Sequence, residues 1–394
     1  MAMSNSPDVF IPYGRQTITQ QDIQAVTDVL RSSMLTQGPL VPEFEKAIAE
    51  KVKAQYSVAV NSATSALHVA CLALGLGQGD WLWTSPITFV ASANCGLYCG
   101  SYVDFVDINP KTGLIDISAL ETKLQKAKLE DKLPKIVVPV HLAGSSCDMK
   151  SIESLSKVYG FSVVEDASHA IGGKYYDEPV GSCSYSDITV FSFHPVKIIT
   201  TAEGGMATTN NQELAQKMRD LRSHGITKDS TRFSESFDPA PWHYEQKSLG
   251  FNYRINDIQA ALGISQLARL DEFVSTRNKI YQLYQHLLVD LPVKLLEIPE
   301  NVYSALHLAV IRLQDQTPDC HRALFEKLKI AGVGVQLHYI PVHTQPYYRN
   351  LGFKFGHFPQ SELYASDAIS LPIYPGLSED EQQYVVSVLS DFLS

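Results

Sequence analysis

A lysine, a carboxylate and a cluster of small hydroxyl side chains each follow an apolar run in this chain. Lys197 follows the run 188–193, within Phe193-His194-Pro195-Val196-Lys197-Ile198. Asp166 ends the run 161–166, and the run 58–60 leads into Asn61-Ser62-Ala63-Thr64-Ser65. An amine that condenses with an aldehyde, a carboxylate that keeps a ring nitrogen protonated and a phosphate-sized set of donors together describe a site for pyridoxal 5'-phosphate.

Each piece alone has an ordinary alternative. A lysine at a strand end usually meets water, Ser62 and Thr64 usually cap a helix, and a phenylalanine in an α/β core usually packs. Taken together, the roles divide by chemistry. Lys197 holds the aldehyde and moves a proton, and Asp166 pairs with the pyridine nitrogen so that the ring withdraws electrons. Ser168 and His169 come within reach of the ring hydroxyl. The backbone N–H groups of Ala63 and Thr64 at a helix start, with the hydroxyls of Thr64 and Ser192, offer a phosphate site. Phe89 supplies a stacking wall. Glu165 points to the opposite side of its strand from Asp166, and His194 is structural. The glycines of 200–209 serve a turn, since neither the Walker nor the Rossmann spacing is met.

Such side chains need a scaffold that gathers strand ends, and the pattern supplies one. Strand signals at 58–60, 81–85, 102–106, 135–141, 161–166 and 188–193 alternate with helical ones. Two further helices precede them, one from Thr19 with Ile23, Val26 and Leu30, one from about Pro42 with Phe44, Ile48 and Val52. The alternation predicts an α/β fold with a mainly parallel central sheet, helices on both faces, and ligands at the carboxyl ends of the strands. Residues 61–65, 88–89, 141, 166–169 and 192–197 all fall on that rim. Residues 120–134 read as a solvated helix and linker, 224–250 as a long polar loop, and 255–277 as one long helix. The division expected is an arm over 1–20, a large cofactor-binding domain over 21–265 and a smaller C-terminal α/β domain over 266–394.

Composition sets the limits. The 394 residues are 45% hydrophobic and 19% charged, which suits packed globular domains. A net charge of −10 disfavours nucleic acid and anionic membranes as partners. No apolar run approaches the ~18 residues of a membrane span, and residues 1–7 lack the charged and apolar regions of a leader, so a cytoplasmic location is expected. The cysteines Cys71, Cys95, Cys99, Cys147, Cys183 and Cys320 form no C-x-x-C pair and suit reduced thiols. Cys95 and Cys99 read as small core residues rather than ligands, so no metal is expected.

The segments 61–68, 164–170, 191–205 and 250–261 resemble the motifs of the DegT/StrS nucleotide-sugar aminotransferases, and the resemblance covers nearly the whole chain. It implies a fold-type-I transferase dependent on pyridoxal phosphate. Lys197 would be the lysine bonded to the cofactor and Asp166 the partner of its ring nitrogen, with Ala63, Thr64, Phe89, His169 and Ser192 around it. The resemblance also places Asn252 in the active site of a neighbouring subunit, which makes a homodimer the functional unit. Tyr13, Ser33, Met34, Leu35, Thr36, Arg254, Gln336, Leu337, His338 and Tyr339 match segments that line the sugar-nucleotide site. Within the family, 11–16, 193–197 and 338–348 are similar to a branch acting in pseudaminic acid biosynthesis. That branch aminates C4 of a UDP-linked 4-keto-6-deoxy-N-acetyl-L-altrosamine, with L-glutamate as amino donor. Ala202 stands where the family usually has glycine.

Other UDP- or dTDP-linked 4-keto-6-deoxy sugars stay open as substrates, because a few pocket contacts choose among them. A dehydratase on this scaffold would carry histidine in place of Lys197. A regulatory homologue without catalysis would lack Lys197, Asp166 or the 61–65 cradle. A Rossmann oxidoreductase would show G-x-G-x-x-G where 61–65 stands.

Overall fold

The computed structural model describes residues 10–234, 240–314 and 317–393; the leader reading of residues 1–7 lies outside them. Seven strands build the main sheet: β1 Tyr56–Val60, β2 Trp81–Thr84, β3 Tyr102–Phe105, β4 Ile136–Val138, β5 Ser162–Asp166, β6 Ile188–Ser192 and β7 Gly205–Thr209. Their order is β1-β7-β6-β5-β4-β2-β3. Only β7 runs against the rest, between β1 and β6, so the sheet is mainly parallel as the alternation predicts.

Residue alternation along each strand sorts the core into two faces. Val58, Val60, Val164, Ile188 and Val190 pack with the helices α3 Ala63–Ala73 and α4 Ala91–Tyr98. On the opposite face Ala59, Phe191 and Met206 pack with Phe44 and Ile48 of α2 Leu40–Val52. Further along that face, Val137 and Val163 pack with Leu120 and Leu124 of α5 Ile117–Leu129. The segment expected to be a solvated helix therefore buries one side against the sheet.

The predicted helix over 255–277 is two helices, α6 Asp257–Leu267 and α7 Leu270–Leu287, divided at Ala268 and Arg269. The hydrophobic spacing runs through the break and conceals it. Asp271 and Glu272 in the first turn of α7 mark a helix start. At the break, Arg269 turns onto the carboxylate of Asp22 at 2.5 Å. The polar stretch 224–250 also carries more structure than its composition suggests: Ile226–Thr227 pairs antiparallel with Glu245–Gln246.

Beyond α7, three antiparallel strands form a second sheet, β8 Val293–Leu295, β9 Ala309–Leu313 and β10 Ala368–Leu371, with β9 central. Tyr284, Leu324, Leu328, Val385 and Leu389 cover it. Ile11 is buried in the same core, and its backbone bonds Gly332 and Gly334 at 2.9 and 2.6 Å. The N-terminal segment is thus packed on the C-terminal part of the chain. Tyr13 follows it, its carbonyl accepting from the Ile373 N–H at 3.0 Å.

Candidate active site

A cavity of about 420 Å³ opens at the carboxyl ends of β5 and β6, and Tyr13, His307, His338 and Tyr339 close its other side. Among the expected residues, Ala63, Thr64, Phe89, Asp166, His169, Ser192 and Lys197 line it.

Asp166 is the last residue of β5, on the face that meets α4. Its Oδ2 accepts from Ser92 Oγ at 2.6 Å, and its Oδ1 accepts from Ser168 Oγ at 2.6 Å and Ser168 N–H at 3.1 Å. Three donors fix the carboxylate, so Ser168 serves Asp166 rather than a ligand. Thr88 Oγ1 holds Ser92 in turn at 2.6 Å.

Lys197 stands on a loop that folds back on the end of β6. The Phe193 carbonyl accepts from Thr201 N–H at 3.0 Å and from Thr200 Oγ1 at 2.9 Å. This closure turns Lys197 into the cavity, where its amine has no hydrogen bond or ion pair among the described residues. Loss of hydration pulls its pKa to about 8, against the charge of Asp166, which raises it.

The start of α3 forms one wall. Ser62 caps it, accepting from Ser65 N–H at 3.1 Å, and leaves the first-turn N–H groups of Ala63 and Thr64 to face the cavity. Gly205 lets β7 approach this end: a Cβ there would lie 2.5 Å from the Ser62 carbonyl and 2.6 Å from Ala63 N. Ser192 Oγ has no hydrogen-bond partner among the described residues.

The opposite wall is imidazole and phenol. His169 Nε2 meets Tyr339 Oη at 3.1 Å, and the His307 ring lies 4.4 Å from that of His169. Burial, with neighbouring positive charge, holds both histidines well below the usual range. His338 bonds Ser370 Oγ through Nδ1 at 2.8 Å, and burial with the Lys197 charge pulls it to about 3. The Nδ1 atoms of His169 and His307 are buried without a partner among the described residues. Phe89 stands at the mouth, 59% exposed, its ring 6.3 Å from that of Tyr339.

These residues fit pyridoxal phosphate. The free amine of Lys197, the fixed carboxylate of Asp166, the first-turn N–H groups of Ala63 and Thr64 and the unpartnered His169 Nδ1 are four separate polar groups around one cavity of suitable size.

Other expected residues lie elsewhere. Ser33, Met34, Leu35 and Thr36 are exposed on the link from α1 (Gln20–Arg31) to α2, and Ser33 and Met34 line a separate groove of about 680 Å³ with Val29, Leu40 and Ala261. Asn252 is exposed on a backbone bridge to Ser223. Arg254, Gln336 and Leu337 are not among the walls either; Gln336 bonds the Ser370 backbone in both directions and turns its side chain outward. His141, on the rim by position, is fully buried and turned to Glu165, with Nε2 donating to Oε2 at 2.6 Å. Its Nδ1 accepts from Cys147 N–H at 3.2 Å, which fixes the proton on Nε2. Glu165 also accepts from Ser186 Oγ at 2.5 Å and Thr189 Oγ1 at 2.8 Å.

Ser92 and His307 are the residues the sequence does not reveal. Ser92 lies one helical turn after Thr88, a weak signal, whereas His307 sits in the C-terminal part with no motif around it. The thiols of Cys71 and Cys95 lie 3.7 Å apart, and no group of three or more His, Cys, Asp or Glu among the described residues is arranged for a metal. No helix among them is long and apolar enough to cross a membrane.

Comparison with known proteins adds the identity of the family. Residues 16–390 match the model of the DegT/DnrJ/EryC1/StrS aminotransferase family. The chain is 38% identical over 389 residues to the spore coat polysaccharide biosynthesis protein SpsC of Bacillus subtilis, covering 98% of this chain and 97% of SpsC. It is 36% identical over 384 residues to the UDP-4-amino-4,6-dideoxy-N-acetyl-beta-L-altrosamine transaminase of Campylobacter jejuni, covering 97% of each. Among solved structures, Helicobacter pylori PseC, an aminotransferase involved in the biosynthesis of pseudoaminic acid, superposes with a TM-score of 0.89 at 32% identity, covering 98% of this chain and 99% of PseC. The PLP-form of the putative sugar aminotransferase Spr1654 from Streptococcus pneumoniae superposes with a TM-score of 0.88 at 28% identity, covering 98% and 100%. The matches run over nearly the whole chain that forms this rim: the chain belongs to the DegT/DnrJ/EryC1/StrS family of pyridoxal phosphate-dependent sugar aminotransferases.

Proposed function

We propose that this aminotransferase moves the amino group of L-glutamate to C4 of a UDP-linked 4-keto-6-deoxy-N-acetyl-L-altrosamine-type sugar, in pseudaminic acid biosynthesis, as a cytoplasmic homodimer. The unpartnered Lys197 amine facing Asp166 across the cavity carries the reaction class. Similarity to the Campylobacter transaminase and to PseC, over nearly the whole of each chain, supports the substrate.

Bound pyridoxal phosphate supplies the electron sink and the carrier of the amino group. Asp166 would face its ring nitrogen, Ala63, Thr64 and Ser192 would hold its phosphate, Phe89 would cover its ring, and His169 would meet its ring hydroxyl. Lys197 Nζ, with a pKa near 8, takes and returns a proton close to neutral pH. The neutral imidazoles of His169, His307 and His338 keep further positive charge away from that amine.

Asn252, Arg254 and Ser33–Thr36 would act on the cavity of a neighbouring subunit. Their position outside their own cavity supports this, as do the exposed apolar side chains of Leu30, Met34, Leu35, Trp242 and Leu249. Gln336 and Leu337 would border the sugar nucleotide beside His338, Tyr339 and Tyr13.

The test offers purified protein a panel of UDP- and dTDP-4-keto sugars with glutamate and follows 2-oxoglutarate. The altrosamine-type UDP sugar should turn over best. If a dTDP sugar did, the substrate would be wrong while the reaction class survived.

A further inference from the structure

Arg277, in α7, is 1% exposed and forms no ion pair among the described residues. Its Nη1 instead donates to three backbone carbonyls, those of Leu306 at 3.3 Å, His307 at 3.3 Å and Ile373 at 2.9 Å. Beside it, Asn278 Nδ2 donates to the Ser304 carbonyl at 3.1 Å. Burying a cation without an anion opposes folding. The carbonyls it holds identify what the burial secures.

One held segment delivers a side chain to the cavity, and the other holds the segment that delivers Tyr13. The segment 304–308 is pinned from two sides. Opposite Arg277, Ala305 N–H bonds the Gly144 carbonyl at 3.0 Å, and a Cβ on Gly144 would lie 2.6 Å from Leu306 N and 3.0 Å from His307 N. Leu306 has φ +51°, a conformation that branched L-residues avoid, so this segment does not hold its shape by local preference. Its product is the His307 ring, 4.4 Å from His169 with Nδ1 buried and unpartnered. The other held residue, Ile373, bonds the Tyr13 carbonyl, and the Tyr13 ring lies 5.4 Å from that of His338.

We propose that Arg277 is a positioning residue for amino transfer: by binding the carbonyls of Leu306, His307 and Ile373 it sets His307 against His169 and ties the Tyr13 segment to the same anchor. The proposal rests on membership of the sugar aminotransferases and not on the identity of the sugar. A guanidinium suits the task because its planar, fixed donors can be shared among several carbonyls, whereas an ammonium on a flexible stem orders them less well.

The test uses single turnovers of the holoenzyme with glutamate, read by cofactor absorbance, and ¹⁵N-histidine NMR of the apoprotein. Because a displacement of about 1 Å at a site can cost roughly 100-fold in rate, Arg277→Met should lower the rate constant by about that factor. Arg277→Lys should lower it by about tenfold, with apparent glutamate affinity changing less. The imidazole signals of His307 and His169 should move in both variants. His307→Ala should reproduce most of the kinetic defect, and adding Arg277→Lys to it should cost clearly less than Arg277→Lys does alone, the remainder coming through the Tyr13 segment, since coupled residues are not additive. The idea is overturned if melting temperature falls while rate constant and imidazole signals stay at wild-type values, or if the two losses simply add. Should Arg277→Met fail to fold, the Arg277→Lys and His307→Ala cycle decides. A wild type inert toward glutamate would strike the donor assignment instead, and the imidazole signals would still decide this proposal.

Discussion

Ser92 Oγ donates to Asp166 Oδ2 at 2.6 Å, joining α4 to the end of β5 across 74 positions of sequence. The bond lies inside the core, Ser92 being fully buried. It fixes the orientation of the carboxylate from the side away from Ser168, so that the carboxylate is held before any ligand arrives.

Replacing Ser92 by alanine should loosen the hold on the cofactor ring. A hydrogen bond to a charged group is worth about 1.5–3 kcal/mol, so cofactor affinity should fall roughly 10- to 150-fold, measured by absorbance on dilution. An unchanged affinity would mean that Ser168 alone orients Asp166.

The lowered pKa of Lys197 has a direct signature. Capture of pyridoxal phosphate by the apoprotein should accelerate with rising pH around a midpoint near 8, far below the ~10.4 of a free lysine. Because the Asp166 charge raises that pKa, Asp166→Asn should move the midpoint lower still. Lys197→Ala should abolish capture. A wild-type midpoint above 10 would contradict the dry environment described for the amine.

Gly205→Ala tests the close contact between β7 and the start of α3. The added methyl falls within 2.6 Å of backbone atoms that cannot rotate away, and overpacking of this kind costs about 1–3 kcal/mol. Melting temperature and phosphate affinity should both fall. Binding that stayed intact would remove the helix start from the phosphate site.

Ala202 adopts φ +66°, which explains why glycine suits that place. Ala202→Gly relieves a left-handed conformation worth about 1–2 kcal/mol and loses part of this to the freer unfolded chain. A net gain of up to about 1 kcal/mol, or roughly 1–2 °C for a chain of this length, should appear in calorimetry. A fall in melting temperature would refute it.

Burial alone would raise the pKa of Glu165, but hydrogen bonds from His141, Ser186 and Thr189 outweigh it and hold the carboxyl below its usual range. The stability it contributes is present above the unfolded pKa of about 4.3 and is lost as pH falls through the folded value. Acid titration of stability should therefore be steeper in the wild type than in Glu165→Gln below about pH 4.3. Parallel curves would show that the carboxylate is not preferentially ionised in the fold.

Much of the site was legible because its pieces are local. Lys197, Asp166, Ser192 and the 61–65 segment each sit at the end of an apolar run, and strand alternation alone separated Asp166 from Glu165. His141 misled for the same local reason: its rim position was right, but its ring turned to Glu165 inside the core. The break at Ala268 was hidden because the apolar spacing continues across it.

By itself the sequence determined the mainly parallel sheet and the lysine, carboxylate and helix start on its rim, since these follow from periodicity over a few residues. The tertiary structure decided which distant groups complete them. Ser92 reaches Asp166 and His307 reaches His169 only because helix packing and the Arg277 anchor bring those segments together. It also decided that Ser33–Thr36 and Asn252 lie outside their own cavity. Contacts between segments far apart in sequence depend on the packing of whole elements, and no local pattern of residue types encodes them.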